Sequence, residues 1–575
     1  GQQQPDGPGG GLPAWDPALF LLDLRDLLGW PGHVLTDVLQ DLVNTHQAEM
    51  RLARRALPAA RLADLTYTAL EGHQNGHPCM VANKGRLGFG ASDAARYTPE
   101  AGRPLRLLWV AAHPDLARYF AIEEPAAESP GQSPGEVPAA GGGRILDIRL
   151  TELDASTRAE FTRALHAALR GTGHEAEAAR YVWLPVHPWQ WEHVVAVLFA
   201  GQIAAGLLVR LGVAADRYLP LQAVRTLANV DRPSRHNVKL ALMMRNTLIW
   251  RGMSMADAEA APTVSTWLAT LARQDEFLRR TGVIPLLEVA GAAVRHPAFD
   301  AVADAPYRFH ELLGVFWREP VESRLAPGER ARTLAALLNV GSDGRALVAE
   351  LVDRSGMAPR EWIAALLRAL LPPLLHYFYA YGVVFTPHGE NVICVFDADE
   401  RPTRIALKDF GADVELVEGD YPERAAGDGA PKATALCRRL PAGEAVHSLL
   451  SALFAGHFRF FSVVVADHLG LPERQFWSLV RDAVEDYQRR FPQYAHRFAA
   501  ADLLAPRFGR VCLNREQFSG AGYHDRTGRD APPDLVHGEV ANPLALVGGD
   551  GAARPAGTGQ AGAGQAGQAG TEGWG

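Results

Sequence analysis

Residues 381–413 read YGVVFTPHGENVICVFDADERPTRIALKDFGAD and hold the densest set of groups that could do chemistry. A short apolar run leads into His388-Gly389-Glu390-Asn391, a second runs from Val392 to Phe396, and a third ends in Lys408-Asp409-Phe410-Gly411. The Asn391 amide oxygen and the Asp409 carboxylate, with Glu390 beside them, are hard oxygen ligands of the kind that hold Mg²⁺ together with phosphates. A surface hairpin with a His-Gly turn would explain a lone Asp or Asn. It does not explain His, Glu, Asn and Lys-Asp gathered at strand ends, which favour a site.

A second constellation lies upstream. Between Arg225 and Arg251 stand Thr226, Arg232, Arg235, His236, Lys239, Arg245, Asn246 and Thr247, with Asp231 the lone acid. Clustered guanidinium groups hold and neutralise phosphates during transfer. A solvated or nucleic-acid-binding face is the plain alternative, but interleaved Leu240, Leu242, Met243, Leu248 and Trp250 place these charges at the border of a core. If 245–257 is helical, Thr247 and Arg251 share a face. A third group is Glu71-Gly72-His73-Gln74-Asn75-Gly76-His77-Pro78, followed by Lys84-Gly85-Arg86. In an extended segment Lys84 and Arg86 point the same way, as two cations facing a polyanion. His187-Pro188-Trp189-Gln190 reads as a structural turn with packed tryptophans.

Asn391 and Asp409-Phe410-Gly411 invite comparison with protein-kinase-like cradles, where a catalytic-loop Asn and a DFG Asp hold Mg²⁺. The comparison fails where a kinase has its base Asp, five residues before the Asn. Here that position is Thr386, and no Gly-rich phosphate loop precedes it. A small-molecule kinase remains the alternative reading.

The elements that must position these groups are those of a globular chain. It has 575 residues, 47% hydrophobic and 21% charged, enough for two to four domains. The net charge of −8 gives no support to a nucleic-acid binder. Four scattered cysteines (Cys79, Cys394, Cys437, Cys512) form no CxxC pair. With no signal-like N-terminus, they point to a soluble cytoplasmic protein with no membrane partner. The apolar stretches 364–385 and 448–466 are interrupted by Arg368, His376, His457 and Arg459, which fits buried helices better than membrane spans. Gly/Ala/Gln/Pro-rich residues 1–12 and 547–575 read as disordered tails, and 124–143 as a flexible insertion. Helical periodicity covers 15–65, 155–180, 257–280, 329–340, 359–381, 442–470 and 473–492, with strands near 85–110, 144–150, 181–186, 218–244 and 383–416. The class is α+β, rich in helix, with mixed or antiparallel sheets.

Together these motifs resemble the IucA/IucC family of siderophore synthetases that work independently of nonribosomal peptide synthetases. The resemblance runs from about 70 to 545 and rests on several motifs. These are Gly76-His77-Pro78 with Lys84-x-Arg86-x-Gly88-Phe89; His187-Pro188-Trp189-Gln190; Arg225-Thr226, Lys239, Thr247 and Arg251; His388-Gly389-Glu390-Asn391; Lys408-Asp409-Phe410; and Cys512-Leu513-Asn514-Arg515 with Asn542-Pro543. It implies a three-part, hand-like cradle, usually homodimeric: a thumb over 13–143, fingers over 144–355 and a palm over 356–546. It implies that ATP with Mg²⁺ activates a carboxylic acid as an acyl-adenylate, and that an amine, less often a hydroxyl, then displaces AMP. Arg225, Thr226, Lys239 and Arg251 would hold phosphates, with Arg251, Thr247 and His388 on the substrate carboxylate. His388 would lie at the reacting phosphate, Asn391, Asp409 and Glu390 would carry Mg²⁺, and His77, Lys84 and Arg86 would close over the nucleotide. Two departures stand out: Ala223 where many members have Ser, and Thr386-Pro387 where many have Glu-Ala. The Pro-His-Gly-Glu-Asn with Lys-Asp version resembles the branch acting on derivatised acids such as hydroxamate-bearing monoamides. The carboxyl-terminal region also has a distant likeness to iron-siderophore reductases, without their cysteine cluster.

Overall fold

A computed structural model describes residues 16–124, 144–246, 249–411, 413–427, 429–514 and 536–547. Apart from Glu124 and Val547, the expected tails and insertion lie outside the described residues, as do Thr247 and Arg515.

The chain combines many helices with mainly antiparallel sheets, in line with the α+β expectation. The largest sheet has eight strands, in the order Ala117–Ala121, Glu288–Val294, Leu313–Arg318, Asn237–Leu240, Thr226–Asn229, Leu208–Pro220, Leu105–Ala112 and Val182–Val186. Every neighbouring pair in it is antiparallel. A second sheet of four strands runs Ile284–Pro285, Pro402–Leu407, Val392–Phe396 and Arg330–Thr333. Strands from 105–121 thus hydrogen-bond with strands from 182–318, and strands from 284–333 with strands from 392–407. Sheet pairing crosses both expected domain boundaries, at 143/144 and 355/356.

The helix Met255–Gln274 covers the large sheet. It opens with a capping box: the Ser254 Oγ accepts from the Asp257 N–H at 3.0 Å, and the Asp257 carboxylate accepts from the Ser254 N–H at 3.3 Å. Gly291 lets helix and strand approach: a Cβ there would stand 2.9 Å from the Ala258 Cα. The helices Pro359–Tyr381 and Ala442–Leu469 are long and apolar enough to cross a membrane, but 78% and 56% of their apolar windows are buried within the protein. They are core helices, as their interrupting polar residues suggested.

Three local expectations change. Residues 329–340 are a strand (Arg330–Thr333) and a 3-10 turn (Leu334–Leu338) rather than a helix. The segment expected as a helix over 245–257 is a hairpin of Leu242–Asn246 and Ile249–Arg251, and helix begins only at Met255. The strands Glu288–Val294 and Leu313–Arg318 were unanticipated; both are fully buried, so they lack the alternation that marks a half-exposed strand.

Candidate active site

A cleft of about 400 Å³ opens where the two sheets meet. Arg225, Lys239 and Arg251 line it from the large sheet and its hairpin. His388, Gly389, Glu390, Asn391 and Asp409 line it from the two chain segments that meet at one end of the Val392–Phe396/Pro402–Leu407 pair, where Val392 lies opposite Leu407. His77 and Arg86 line it from the third segment. Two constellations far apart in sequence therefore face one cavity.

Asp409 is its electrostatic centre. Its Oδ1 accepts from the Lys239 ammonium at 2.5 Å and the Arg318 guanidinium at 2.8 Å. Its Oδ2 has no hydrogen-bond partner among the described residues. Burial pushes its pKa up, but Lys239, Arg318 and Lys408 outweigh it and hold the carboxyl well below the usual range. Glu390 pairs with Lys408 at 3.5 Å; burial raises its pKa, yet Lys408 and His388 bring it below the ordinary value. The Asn391 amide nitrogen donates to the Thr386 carbonyl at 3.2 Å, and its side-chain oxygen has no partner among the described residues. An ionised carboxylate with a spare oxygen, a second carboxylate and a spare amide oxygen form a donor set that fits a hard divalent cation. The neighbouring cations fit a phosphate chain.

The backbone is set for this. Asp409, Val224 and Arg86 have φ of 68°, 65° and 45°, a region non-glycine residues rarely visit. All three stand in loops that border the cleft, where local strain is tolerated when it aims functional groups. Imidazole tautomers are set as well. The His388 Nδ1 accepts from the Glu390 N–H at 3.2 Å, and the His77 Nδ1 from the Cys79 N–H at 3.2 Å. In its neutral form a ring held this way carries its proton on Nε2. Burial and then His388 push the His77 pKa down to about 4.

Not every expected residue arrives. Lys84 does not line the cleft: the segment turns rather than extends, and its ammonium is held by Glu49 at 2.5 Å and by the Asn75 carbonyl. Arg86 lines the cleft with its guanidinium paired to Glu100. Thr226 is buried opposite Lys239 in the sheet and is not a lining residue. Of the basic cluster, Arg232 and Arg235 pair with Asp216 and His236 with Glu152, away from the cleft. The His187 motif is structural, as read. Trp189 stacks on His193 at 4.7 Å, and the Gln190 amide joins Met243 N to the Leu312 carbonyl.

Four residues escaped the sequence reading. Arg318 holds Asp409 from behind. Glu288 is fully buried; its Oε2 accepts from the Gly411 N–H at 2.8 Å while Oε1 is unpartnered, and burial, with Asp409 adding, raises its pKa to about 7. Asp413 and His457 line the cleft directly. Each had a faint signal, a lone charged or imidazole group ending or interrupting an apolar run.

Residues 66–339 match the model of the IucA / IucC family, and 360–525 that of the ferric iron reductase FhuF-like transporters. The chain is 36% identical to the rhizobactin siderophore biosynthesis protein RhbF of Rhizobium meliloti (strain 1021), across 92% of its own length and 84% of the relative's. It is 32% identical to putrebactin synthase of Shewanella sp. (strain MR-4), across 88% and 75%. Its fold matches that of aerobactin synthetase IucC from a hypervirulent pathotype of Klebsiella pneumoniae with a TM-score of 0.75, at 29% identity over 93% of this chain and 86% of that one. The chain belongs to the IucA/IucC family.

Proposed function

We propose that this protein is an ATP-dependent siderophore synthetase. It activates a carboxylic acid of the citrate or succinate type, or a monoamide of one, as an acyl-adenylate. It then condenses that acid with an amine or hydroxyl, releasing AMP and pyrophosphate. The observation that carries this reading is the convergence of Arg225, Lys239 and Arg251 with His388, Asn391 and Asp409 on one cavity. The named relatives, a siderophore biosynthesis protein and a putrebactin synthase, support it.

The geometry suits the chemistry. In adenylation a substrate carboxylate attacks the α-phosphorus and pyrophosphate leaves. That step needs two anions brought together and charge neutralised, with no protein nucleophile. Arg225 and Lys239 would take phosphate oxygens, and Arg251 with His388 the acid and the reacting phosphate. The His388 Nε2–H is a donor suited to an anionic oxygen. His77 and Arg86 would cover the nucleotide from the third segment. Asp409, Asn391 and Glu390 would hold Mg²⁺, which when bound supplies charge neutralisation for the phosphates. The small-molecule kinase reading gains nothing, because the relatives are synthases and Thr386 offers no carboxylate to a hydroxyl acceptor. A homodimer working in the cytoplasm is part of the proposal, and sedimentation of the purified chain tests the dimer.

An ATP–pyrophosphate exchange screen over citrate, succinate, 2-oxoglutarate and their hydroxamate monoamides tests the function. Exchange dependent on one of these acids is expected, with AMP accumulating once an amine is added. Release of ADP would overturn the adenylation mechanism.

A further inference from the structure

Away from the cleft, three side chains from separate segments converge on one point. His113 directly follows the strand Leu105–Ala112, His174 caps the 3-10 helix Glu175–Arg180, and Glu177 stands inside that helix. Their ligand atoms all lie within 4.8 Å of one another. The Glu177 Oε2 is 2.7 Å from the His113 Nε2 and 3.5 Å from the His174 Nδ1. The two rings stand at 57° to each other with centroids 4.9 Å apart. None of the three lines the cleft. The strand that carries Lys239 is three strands away in the same sheet, about 14 Å at ordinary strand spacing.

The backbone brings these groups together. His113 is 3% exposed, its N–H donates to the Leu207 carbonyl at 2.8 Å, and its ring stands edge-on to Tyr181 at 5.3 Å. After the helix Ala155–Leu169, Gly171 and Gly173 take φ of 79° and 84°, which glycine adopts freely, and the chain turns back to set His174 against His113. The Glu175 Oε1 pins that turn by accepting from the Gly171 N–H at 2.6 Å. The Arg180 guanidinium donates to the Glu177 Oε1 at 3.2 Å, which leaves Oε2 to the two imidazoles. Hydrogen bonding alone accounts for His113 with Glu177. It does not account for a second imidazole aimed at the same oxygen from 3.5 Å, the outer limit of such a bond.

We propose that His113, His174 and Glu177 bind a divalent transition-metal ion, Zn²⁺ or Fe²⁺, which clasps the 171–180 segment to the edge of the large sheet. Two imidazoles and one carboxylate are a donor set that such ions favour, whereas Mg²⁺ and Ca²⁺ seek oxygen alone. Ligands about 2.0–2.1 Å from a tetrahedral ion lie about 3.3 Å apart. The His113 and Glu177 atoms must therefore part by about 0.6 Å, which the 35% exposed Glu177 side chain can do by rotating. Water would take the fourth position. In the ring as it stands, the His113 Nδ1 accepts from the Asp115 N–H at 3.2 Å and the Nε2–H donates to Glu177. With an ion on Nε2 the ring proton sits on Nδ1, where the Asp115 carboxylate is 3.6 Å away. A ligand imidazole characteristically donates its second N–H to such a carboxylate. His174 and Glu177 are 28% and 35% exposed, so the ion enters directly from solvent. It takes no part in the chemistry of the cleft.

The test uses the full chain, stripped by a chelator and then titrated with Zn²⁺, with Fe²⁺ under anaerobic conditions and with Mg²⁺, followed by calorimetry and thermal melting. Co²⁺ is the spectroscopic probe, because a four-coordinate site absorbs far more strongly in the visible than a six-coordinate one. Wild type is expected to bind one tight equivalent of Zn²⁺ or Fe²⁺ that excess Mg²⁺ does not displace, with a rise in melting temperature; the tighter of the two names the ion. His174→Ala and Glu177→Gln should weaken that binding by more than about 100-fold, the upper end for loss of a mere outer-shell partner, and Asp115→Ala by about 10-fold. Should His174→Ala fail to fold, Glu177→Gln, which keeps the side-chain volume, decides the matter. No tight equivalent in wild type overturns the proposal, as does equal affinity in wild type and Glu177→Gln. Tight binding abolished by Asp409→Asn but kept by Glu177→Gln would place the ion in the cleft and overturn it equally.

Discussion

Asp409 binds two buried cations through one oxygen and leaves the other open, so its charge serves both the fold and the site. Removing that charge leaves Lys239 and Arg318 facing each other with Glu288 as the nearby acid. Breaking a buried pair in this way costs about 3–5 kcal/mol. Asp409→Asn is accordingly expected to lower the urea midpoint substantially and to reduce acid-dependent exchange by more than about 100-fold, the scale on which removing one preorganised electrostatic group acts. Glu288 makes the opposite prediction. Its folded pKa is raised from 4.5 to about 7 by burial, so its contribution to stability is fully present below 4.5 and is lost as pH rises through about 7. Wild type and Glu288→Gln should match at pH near 5, measured by denaturant midpoint. Above pH 7 the Gln variant should be the more stable by roughly 1–3 kcal/mol, the cost of one buried unsatisfied group. Equal pH profiles would mean that Lys239 and Arg318 already compensate the Glu288 charge. At this scale the sequence was most legible where polar residues break apolar runs: His388, Asn391 and Asp409 stand at strand ends and face the cleft. Lys84 was misplaced because its spacing from Arg86 has meaning only in an extended segment, and the chain turns there.

The elements succeed or fail as readings for a related reason. Amphipathic helices and half-exposed strands announce themselves by period, and helices such as Pro359–Tyr381 and Glu473–Arg490 fall where periodicity placed them. The strand Glu288–Val294 has no exposed face to generate a period, because the Met255–Gln274 helix covers one side and the core the other. Residues 242–251 mix apolar and basic types at spacings that suit a helix face, but pairing between Leu87 and Arg245 at 2.8 and 2.9 Å draws them into extended structure. No local pattern could report that contact. Gly291 lets the Met255–Gln274 helix approach the strand closely, and it yields the prediction for this scale. Gly291→Ala places a methyl 2.9 Å from the Ala258 Cα, so the helix must shift. Overpacking of this kind costs typically about 1–3 kcal/mol. A thermal melt of the variant should show a loss of about 1–3 °C, and an unchanged midpoint would mean that the helix slides freely on the sheet.

For the whole molecule, the cleft belongs to no single stretch of chain. Its walls come from 74–86, 222–251, 388–413 and the His457 turn, and both sheets are built from strands far apart in sequence. The division into thumb, fingers and palm was drawn along the sequence, and sheet pairing does not follow it; composition carries no record of which strands pair. Ligand-induced protection should therefore spread in the same pattern. With α,β-methylene-ATP and Mg²⁺, which can bind without reacting, hydrogen exchange should slow together in peptides from 222–251 and 388–413, at one common ligand midpoint. At about 100 times the dissociation constant, the gain for openings that destroy the cleft is bounded near 2.7 kcal/mol. Amides that exchange only through such openings should approach that bound in both segments. Protection confined to 388–413, or two separate midpoints, would mean that the basic hairpin and the Asp409 turn do not grip the same triphosphate. In Asp409→Asn the magnesium-dependent part of the protection should vanish from both segments at once, because Lys239 and Asp409 face each other across the joint between the sheets.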